Sequence, residues 1–281
     1  MTNLVSTEWL AAHMGDVRLV DASWYMPAEK RDPAKEFEAG HIPGAVFFDI
    51  DGIADHSTDL PHMLPSAGDF SAATGKLGIG NGDTVVVYDG SGIFSAPRVW
   101  WTLKAMGHKD VKVLDGGFPK WRREGRAVET GPAKPNAKTF TASFQPGLKR
   151  DFDDVMGIVK DRSAQMVDAR SASRFTGEEK EPRAGVRSGH MPGAANVHFR
   201  SLITADGTLK PKAELRAAFE KAGVDPARPI VTTCGSGLTA AILMLALDEI
   251  GARDVALYDG SWTEWGGRPE AVVVSSAEVG G

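Results

Sequence analysis

Short apolar runs alternate with longer segments of helical composition along most of this chain. The runs are rich in Val, Ile and Leu, which is typical of strands that are buried on both faces of a sheet. They lie at 17–21, 85–88, 111–114, 165–170, 230–233 and 255–258. A short first helix is predicted to be capped by Ser6 or Thr7 and to run through Met14, and further helices are predicted over 96–106, 211–222 and 238–250. This alternation predicts an α/β fold, in which parallel sheets carry helices on both faces.

The same order of sequence features occurs twice. Four segments of the first half have counterparts in the second half, at separations that stay between 144 and 149 residues. The pairs are 19–23 with 165–170, 40–45 with 189–194, 85–92 with 230–237, and 114–121 with 258–265. Chance similarity would not preserve this order, whereas loop insertions and deletions account for the drift in separation. We therefore expect two copies of one domain.

A proline-containing segment separates the two copies. Residues 129–150 include Pro132, Pro135 and Pro146 and show no clear hydrophobic period, which is typical of a linker. We predict an N-terminal domain at 1–135, a linker at 136–150 and a C-terminal domain at 151–281, with the boundary near residue 140.

Cys234, the only cysteine, directly follows one of the predicted strands. It opens the sequence Cys-Gly-Ser-Gly-Leu-Thr, which leads into an apolar helix. Gly235 and Gly237 allow this turn to curl until successive N–H groups face one centre, and the helix dipole adds positive potential there. Such a cradle favours the thiolate of Cys234, which is the nucleophilic form. Unpaired cysteines more often only fill space in a core, but that role does not require the glycine-rich sequence that follows.

The corresponding loop of the first half has Asp89 where the second half has Cys234. Because a carboxylate cannot act as a sulfur nucleophile, only the second copy is predicted to be catalytic. The first copy is expected to form one wall of the active cleft and to contribute residues across it, since sites between domains are common for small ligands.

Composition and charge argue against several functional classes. Of the 281 residues, 42% are hydrophobic and 25% are charged, which is ordinary for a globular protein. A net charge of -5 without a basic cluster argues against nucleic-acid binding. A single cysteine suits a reducing compartment, and we find no signal sequence and no apolar run of membrane-spanning length. We expect a cytoplasmic protein.

These features, together with several shorter motifs, resemble the tandem-rhodanese sulfurtransferases, in the branch that uses 3-mercaptopyruvate, over nearly the whole chain. The motifs are DASWY at 21–25, RDP at 31–33, HIPGA at 41–45, FFDID at 47–51, HMLP at 62–65, SAPRVWW at 95–101, LDGG at 114–117, CGSGLT at 234–239 and YDGSW at 258–262. Leu238 stands where the family more usually has valine. The resemblance implies two tandem rhodanese-like domains and an enzyme without a cofactor or a metal.

The resemblance also implies a persulfide mechanism. The thiolate of Cys234 attacks the sulfur of 3-mercaptopyruvate, pyruvate leaves as its enolate, and the outer sulfur passes to thioredoxin, a small thiol or cyanide. The family match assigns proton handling to Ser236 and Asp51, with His62 beside them. Without that match, Asp51 would be interpreted as a cap or turn residue and His62 as a structural histidine.

Substrate binding is assigned by the same resemblance. Arg174 and Arg183 are expected to hold the carboxylate and the ketone oxygen of the 2-oxo acid, because a planar guanidinium donates paired hydrogen bonds. Their spacing alone would not identify them, since charged residues in such a segment are usually solvated. The other binding residues belong to the cysteine loop: Gly235, Gly237, Leu238 and Thr239.

Three alternative functions are weaker. A thiosulfate:cyanide sulfurtransferase is disfavoured, because thiosulfate-using relatives carry basic residues directly after the cysteine, where this chain has Gly235 and Ser236. A cysteine phosphatase needs an arginine six positions after the cysteine, and that residue is Ala240. A non-catalytic carrier or interaction module is the role expected of chains that have lost the cysteine. We therefore predict an enzyme that transfers sulfur from 3-mercaptopyruvate.

Overall fold

Five parallel strands form the sheet of the first unit in the computed structural model, which describes residues 2–275. The strands are β1 (Leu4–Val5), β2 (Val17–Asp21), β3 (Val46–Phe47), β4 (Thr84–Tyr88) and β5 (Val111–Leu114), in the order β1-β5-β4-β2-β3. The flanking helices are α1 (Thr7–His13), α2 (Pro33–Ala39), α3 (Ala67–Lys76), α4 (Ala96–Ala105) and α5 (Gly117–Arg123). The predicted α/β class is confirmed in this unit.

The core of the first unit is centred on β4. This strand lies between β5 and β2, and its residues 85–88 are fully buried. Helix α4 packs against β4 and β5 and contributes Trp100 and Trp101, which are 1% and 0% exposed. A parallel strand that is covered on both faces must be apolar throughout, which explains the uninterrupted Val-Val-Val-Tyr sequence.

The second unit has the same topology. Its strands are β6 (Lys149–Arg150), β7 (Gln165–Asp168), β8 (Ala195–Asn196), β9 (Ile230–Thr233) and β10 (Val255–Tyr258), in the order β6-β10-β9-β7-β8. The helices are α6 (Phe152–Asp161), α7 (Ala172–Thr176), α8 (Lys212–Lys221), α9 (Ala240–Glu249) and α10 (Ser261–Gly267). Each strand occupies the position of its counterpart in the first sheet, so the sequence repeat is a repeat of the fold.

Helix α9 begins two residues later than its apolar pattern predicts. Gly237 has a φ of 78°, in the left-handed region that favours glycine, and the chain leaves the loop only after Thr239. Leu238 is therefore a loop residue, although it is buried. The helix itself is buried on nearly every side, which explains why its apolar sequence shows no polar face.

Each unit includes a short segment from the other half of the sequence. Ile203–Leu209 belongs to the first unit, and Ser57–Met63 belongs to the second. Leu209 donates its N–H to the Asp115 carboxylate at 2.8 Å, which fixes the first of these segments. The two segments lie 146 residues apart, a separation within the range of the sequence repeat, so the exchange follows the duplication.

The chain between the two halves stays on the first unit. Residues 130–145 form no helix or strand, but Lys138 N–H donates to the Gly75 carbonyl and Ser143 N–H donates to the Met106 carbonyl, both at 2.9 Å. The second unit begins at Pro146. Within residues 2–275, no helix has the length and apolar content needed to cross a membrane.

Candidate active site

Cys234 is the first residue after β9, at the carboxyl end of a strand that lies between β10 and β7. Ligands of open parallel sheets bind beyond these strand ends, so the fold brings the cysteine to the edge where chemistry is expected. The residue is 1% exposed. A six-residue loop, 234–239, joins it to α9.

The start of α10 holds this loop in place. Cys234 N–H donates to the Ser261 hydroxyl at 3.3 Å, and the Cys234 carbonyl accepts from Trp262 N–H at 2.9 Å. The Gly235 carbonyl accepts twice from Thr263, from its N–H at 2.9 Å and from its hydroxyl at 2.6 Å. The backbone of Cys234 and Gly235 is therefore fixed by hydrogen bonds with three consecutive residues at the start of α10.

The equivalent loop of the first unit shows what this geometry can bind. The Asp89 carboxylate accepts hydrogen bonds from the N–H groups of Ser91, Phe94, Ser95 and Ala96, at 2.8 to 3.0 Å. Backbone donors thus surround an anion carried by the first residue of the loop. In the second unit the first residue is Cys234, and the loop is one residue shorter, since 89–95 has seven residues and 234–239 has six.

Two other residues of the first unit, Ser23 and Tyr25, contact its loop at Gly90. The Ser23 hydroxyl accepts from Gly90 N–H at 2.8 Å. A Cβ at Gly90 would lie only 2.3 Å from the Tyr25 hydroxyl oxygen, so this glycine is needed for the close approach of the phenol. Burial raises the pKa of Tyr25 above its usual value. The first copy has therefore kept the loop, and Ser23, Tyr25 and Gly90 line an open cavity of about 720 Å³ beside it.

Arg174 lies beside the cysteine loop in the second unit. It belongs to the short helix α7, whose N-terminus is capped by the Ser171 hydroxyl. Its Nε and Nη2 donate to Glu181 at 3.2 and 2.5 Å. A Cβ built on Gly235 would lie 3.1 Å from Nη2, which places the guanidinium against the residue that follows Cys234.

Arg183 reaches the same residue by another route. Its Nη1 donates to the Thr263 hydroxyl at 3.4 Å, and that hydroxyl donates to the Gly235 carbonyl. Arg183 and Thr263 also line an open cavity of about 500 Å³, together with Leu60. The two arginines named from the sequence therefore converge on Gly235.

The three predicted proton-handling residues have different surroundings. Ser236 is half-buried within the loop. His62 is 6% exposed and lies in Ser57–Met63, the segment that belongs to the unit of Cys234. Asp51 lies in the first unit, in a turn, where its carboxylate accepts from Trp24 Nε1 at 2.8 Å.

Several residues of this region were not predicted from the sequence. Asp168, Arg170 and Glu181 form a buried ion-pair chain that ends at Arg174, and Thr263 joins Arg183 to the loop. One sequence signal was available, because Asp168 and Arg170 lie in the last three residues of the predicted buried strand 165–170, where charges require partners. Glu181 and Thr263 carry no comparable signal, since their partners are determined by loop conformation.

Comparison with known proteins agrees with this architecture. The sequence matches the rhodanese-like domain family twice, over residues 6–124 and 151–268. The chain belongs to this family. Its two domains lie in tandem and have the same strand order.

Two named proteins and one solved structure are similar to this chain over most of its length. The chain is 44% identical to thiosulfate/3-mercaptopyruvate sulfurtransferase 1, mitochondrial, of Arabidopsis thaliana, over 97% of this chain and 78% of that protein. It is 42% identical to 3-mercaptopyruvate sulfurtransferase of Escherichia coli strain K12, over 97% and 98%. The crystal structure of SseA from Escherichia coli, described as a 3-mercaptopyruvate sulfotransferase, superposes with a TM-score of 0.86 at 41% identity, covering 93% of this chain and 99% of that one.

Proposed function

We propose that this chain is a sulfurtransferase that takes sulfur from 3-mercaptopyruvate, holds it on Cys234, and passes it to a thiol or to cyanide. The observation that carries the proposal is the convergence of Arg174 and Arg183 on Gly235, the neighbour of the only cysteine. A thiol nucleophile next to two guanidinium groups suits a donor that combines a sulfur atom with a 2-oxo acid. The named relatives support the same donor.

The first step forms the persulfide. The thiolate of Cys234 attacks the substrate sulfur, the bond between that sulfur and carbon 3 breaks, and the electron pair leaves on the enolate of pyruvate. Protonation of the enolate at carbon 3 gives pyruvate. In the second step, an acceptor thiolate or cyanide attacks the outer sulfur and restores the Cys234 thiolate. No electrons are required from outside the reactants.

The arginines have two roles in this scheme. One guanidinium binds the substrate carboxylate, and the other lies at the ketone oxygen, which gains negative charge as the enolate forms. We assign these roles to Arg174 and Arg183 together, with Gly235, Gly237, Leu238 and Thr239 forming the floor of the site. Gly235 matters most among these loop residues, because a Cβ at this position would lie only 3.1 Å from Arg174 Nη2. Glycine is therefore the residue that allows Arg174 to keep its present position.

Proton handling is assigned to Ser236, Asp51 and His62. The substrate thiol must lose a proton and the enolate must gain one. A hydroxyl, a carboxylate and an imidazole are suitable groups for accepting and donating these protons. Support for His62 comes from its burial in the unit that holds Cys234. Support for Asp51 comes from the hydrogen bond that Trp24 donates to its carboxylate.

Further assignments concern the acceptor, the compartment and the domain limits. We propose thioredoxin, a small thiol or cyanide as acceptor, and domains at 1–135 and 151–281 joined by 136–150. A cytoplasmic location is supported by the single cysteine, although the name of the Arabidopsis thaliana relative specifies mitochondria.

Mass spectrometry of the intact protein tests the proposal. After 3-mercaptopyruvate is added, we expect Cys234 to gain one sulfur atom and pyruvate to appear in equal amount during the first turnover. Cys234→Ser should fold normally and do neither, because a hydroxyl in the same position is far less acidic than a thiol. Thiosulfate is assayed in parallel, since the name of the Arabidopsis thaliana relative includes this donor. Substantial turnover by Cys234→Ser would refute the proposal.

A further inference from the structure

Ser261 is a fully buried serine that begins α10 in an unusual backbone conformation. Its φ is 49°, in the left-handed region, and the residue is 0% exposed. A side chain is costly in this conformation, because Cβ then lies too close to the following carbonyl oxygen. Among residues 2–275, only four residues other than glycine have a positive φ. Such a conformation persists where the surrounding contacts require it, and the contacts of Ser261 lie at the cysteine.

The Ser261 hydroxyl joins the ends of two neighbouring strands. It donates to the Tyr258 carbonyl, at the end of β10, at 2.8 Å. It accepts from Cys234 N–H and from the Thr233 hydroxyl, both at 3.3 Å, where β9 ends. A serine hydroxyl has one donor and two acceptor positions, so all three are used here. Because its proton is committed to Tyr258, this hydroxyl holds the backbone of Cys234 and does not exchange protons with a substrate.

The first unit shows that this position can be filled without a side chain. Ser261 corresponds in the sequence repeat to Gly117, whose φ is 53°. In both units the residue that follows donates its N–H to the carbonyl of the first loop residue, at 3.0 Å to Asp89 and at 2.9 Å to Cys234. A Cβ on Gly117 would lie only 2.5 Å from the Asp89 carbonyl oxygen. The backbone contact is therefore common to both units, whereas the hydroxyl is present only in the unit that carries the cysteine.

The hydrogen bond from Cys234 N–H fixes the direction in which the sulfur points. The N–H and the carbonyl of Cys234 are held by Ser261 and Trp262, so the peptide groups on both sides of its Cα have fixed planes. Without the hydroxyl, a buried N–H would lose its partner, and the peptide group before Cys234 would be free to turn. Attack on a sulfur atom requires the nucleophile in line with the bond that breaks, and a small displacement of a reacting atom lowers the rate strongly.

We propose that Ser261 is the positioning residue of Cys234: its hydroxyl holds the cysteine N–H so that the sulfur lies in line with the bond between sulfur and carbon 3 of the donor. This inference rests on the proposed function. It assigns Ser261 no contact with the substrate, and it explains why a serine is kept in a conformation that suits glycine.

Two variants that lack the hydroxyl provide the main test. Ser261→Ala keeps Cβ, whereas Ser261→Gly also relieves the backbone strain and should unfold at a higher urea concentration than Ser261→Ala. We expect the rate of pyruvate release in the first turnover, at saturating 3-mercaptopyruvate, to fall ten- to a hundred-fold in both variants, with the two rates within three-fold of each other. The donor concentration that gives half the maximal rate should change less than three-fold, because Arg174 and Arg183 reach the loop at Gly235.

Ser23→Ala is the matched control. Ser23 is also buried, and its hydroxyl accepts the N–H of the loop residue Gly90 at 2.8 Å, but in the first unit. Its loss should change the first-turnover rate less than three-fold. Ser261→Thr keeps the hydroxyl and adds a methyl group, so the folded protein should react faster than Ser261→Ala although it unfolds at a lower urea concentration. If the threonine variant does not fold, the alanine and glycine variants carry the test.

The outcomes separate positioning from a structural role. A first-turnover rate within three-fold of the wild type in Ser261→Ala would overturn the proposal. Rates that follow the urea midpoints, with Ser261→Gly near the wild type and Ser261→Ala slow, would leave Ser261 a structural role only, as would an equal loss in Ser23→Ala. The proposed function is judged separately, by whether the wild-type protein forms a persulfide from 3-mercaptopyruvate at all.

Discussion

Truncating the two arginines that converge on Gly235 is the perturbation that most directly tests the site. Arg174→Ala removes a guanidinium whose side chain is only 20% exposed and whose remaining donors face the cysteine loop. Arg183→Ala removes a guanidinium whose Nη1 donates a long hydrogen bond, 3.4 Å, to the Thr263 hydroxyl. If both bind the 2-oxo acid, each truncation leaves part of the substrate without a charged partner.

The expected loss follows from the burial. Removing one partner of a shielded charge pair costs about 2–5 kcal/mol. At about 1.4 kcal/mol per factor of ten, this cost lowers kcat/KM by a factor between roughly thirty and several thousand. We expect the loss for Arg174→Ala to fall in the upper part of this range, because Glu181 holds Arg174 in place. The loss for Arg183→Ala should fall in the lower part. Arg174→Lys should recover only part of the loss, since an ammonium keeps the charge without the planar fork.

The assay is steady-state kinetics with 3-mercaptopyruvate, accompanied by two controls. Arg253→Ala removes an exposed arginine elsewhere and should change kcat/KM by less than three-fold. Alkylation of Cys234 by a neutral reagent should proceed at the wild-type rate in every variant. Folding should survive Arg174→Ala, because Glu181 keeps its bond to Arg170. If both alanine variants stay within three-fold of the wild type, less than about 1 kcal/mol each, neither arginine belongs to the site.

Three further predictions concern single residues. Gly235→Ala should lower kcat/KM with 3-mercaptopyruvate at least ten-fold, about 1.4 kcal/mol, because the new Cβ lies 3.1 Å from Arg174 Nη2; activity near that of the wild type would show that Arg174 has room to move. Asp89→Asn should destabilise the protein by about 2–4 kcal/mol in urea unfolding, because a carboxylate that accepts four N–H bonds is replaced by an amide. A change below 0.5 kcal/mol would contradict that reasoning. Burial raises the pKa of Asp21 to about 6 from 3.8, so the folded state binds more protons than the unfolded state between these values, and stability should fall as pH rises through this window. Asp21→Asn should flatten that slope, and an unchanged slope would exclude Asp21 as its source.

The sequence predicted the regular elements closely wherever a single period governs a segment. The strands Val17–Asp21, Val111–Leu114, Ile230–Thr233 and Val255–Tyr258 have the predicted limits. Each is apolar because a central parallel strand is covered on both faces, and that requirement is local to the strand. The repeat identified in the sequence likewise appeared as two sheets with the same strand order.

The order of strand, cysteine loop and helix around Cys234 was also predicted correctly from the sequence, because it depends on neighbouring residues. The convergence of loop N–H groups on the thiolate stays a prediction; its counterpart in the first unit is a loop one residue longer, in which four N–H groups bind the Asp89 carboxylate. The importance of Arg174 and Arg183, by contrast, came from resemblance to a family and not from their spacing.

Only the tertiary structure decided which charges are buried together. It also decided which segments belong to the unit that the other half of the sequence forms. Glu181 lies eleven residues from Arg170 and seven from Arg174, and it bonds both only because the intervening chain folds back over the strand ends. The exchange of Ser57–Met63 and Ile203–Leu209 likewise leaves no periodic signal. Periodicity records how one element meets the core, whereas a buried ion pair depends on desolvation and on partners that different loops supply, so it exists only once the chain has folded.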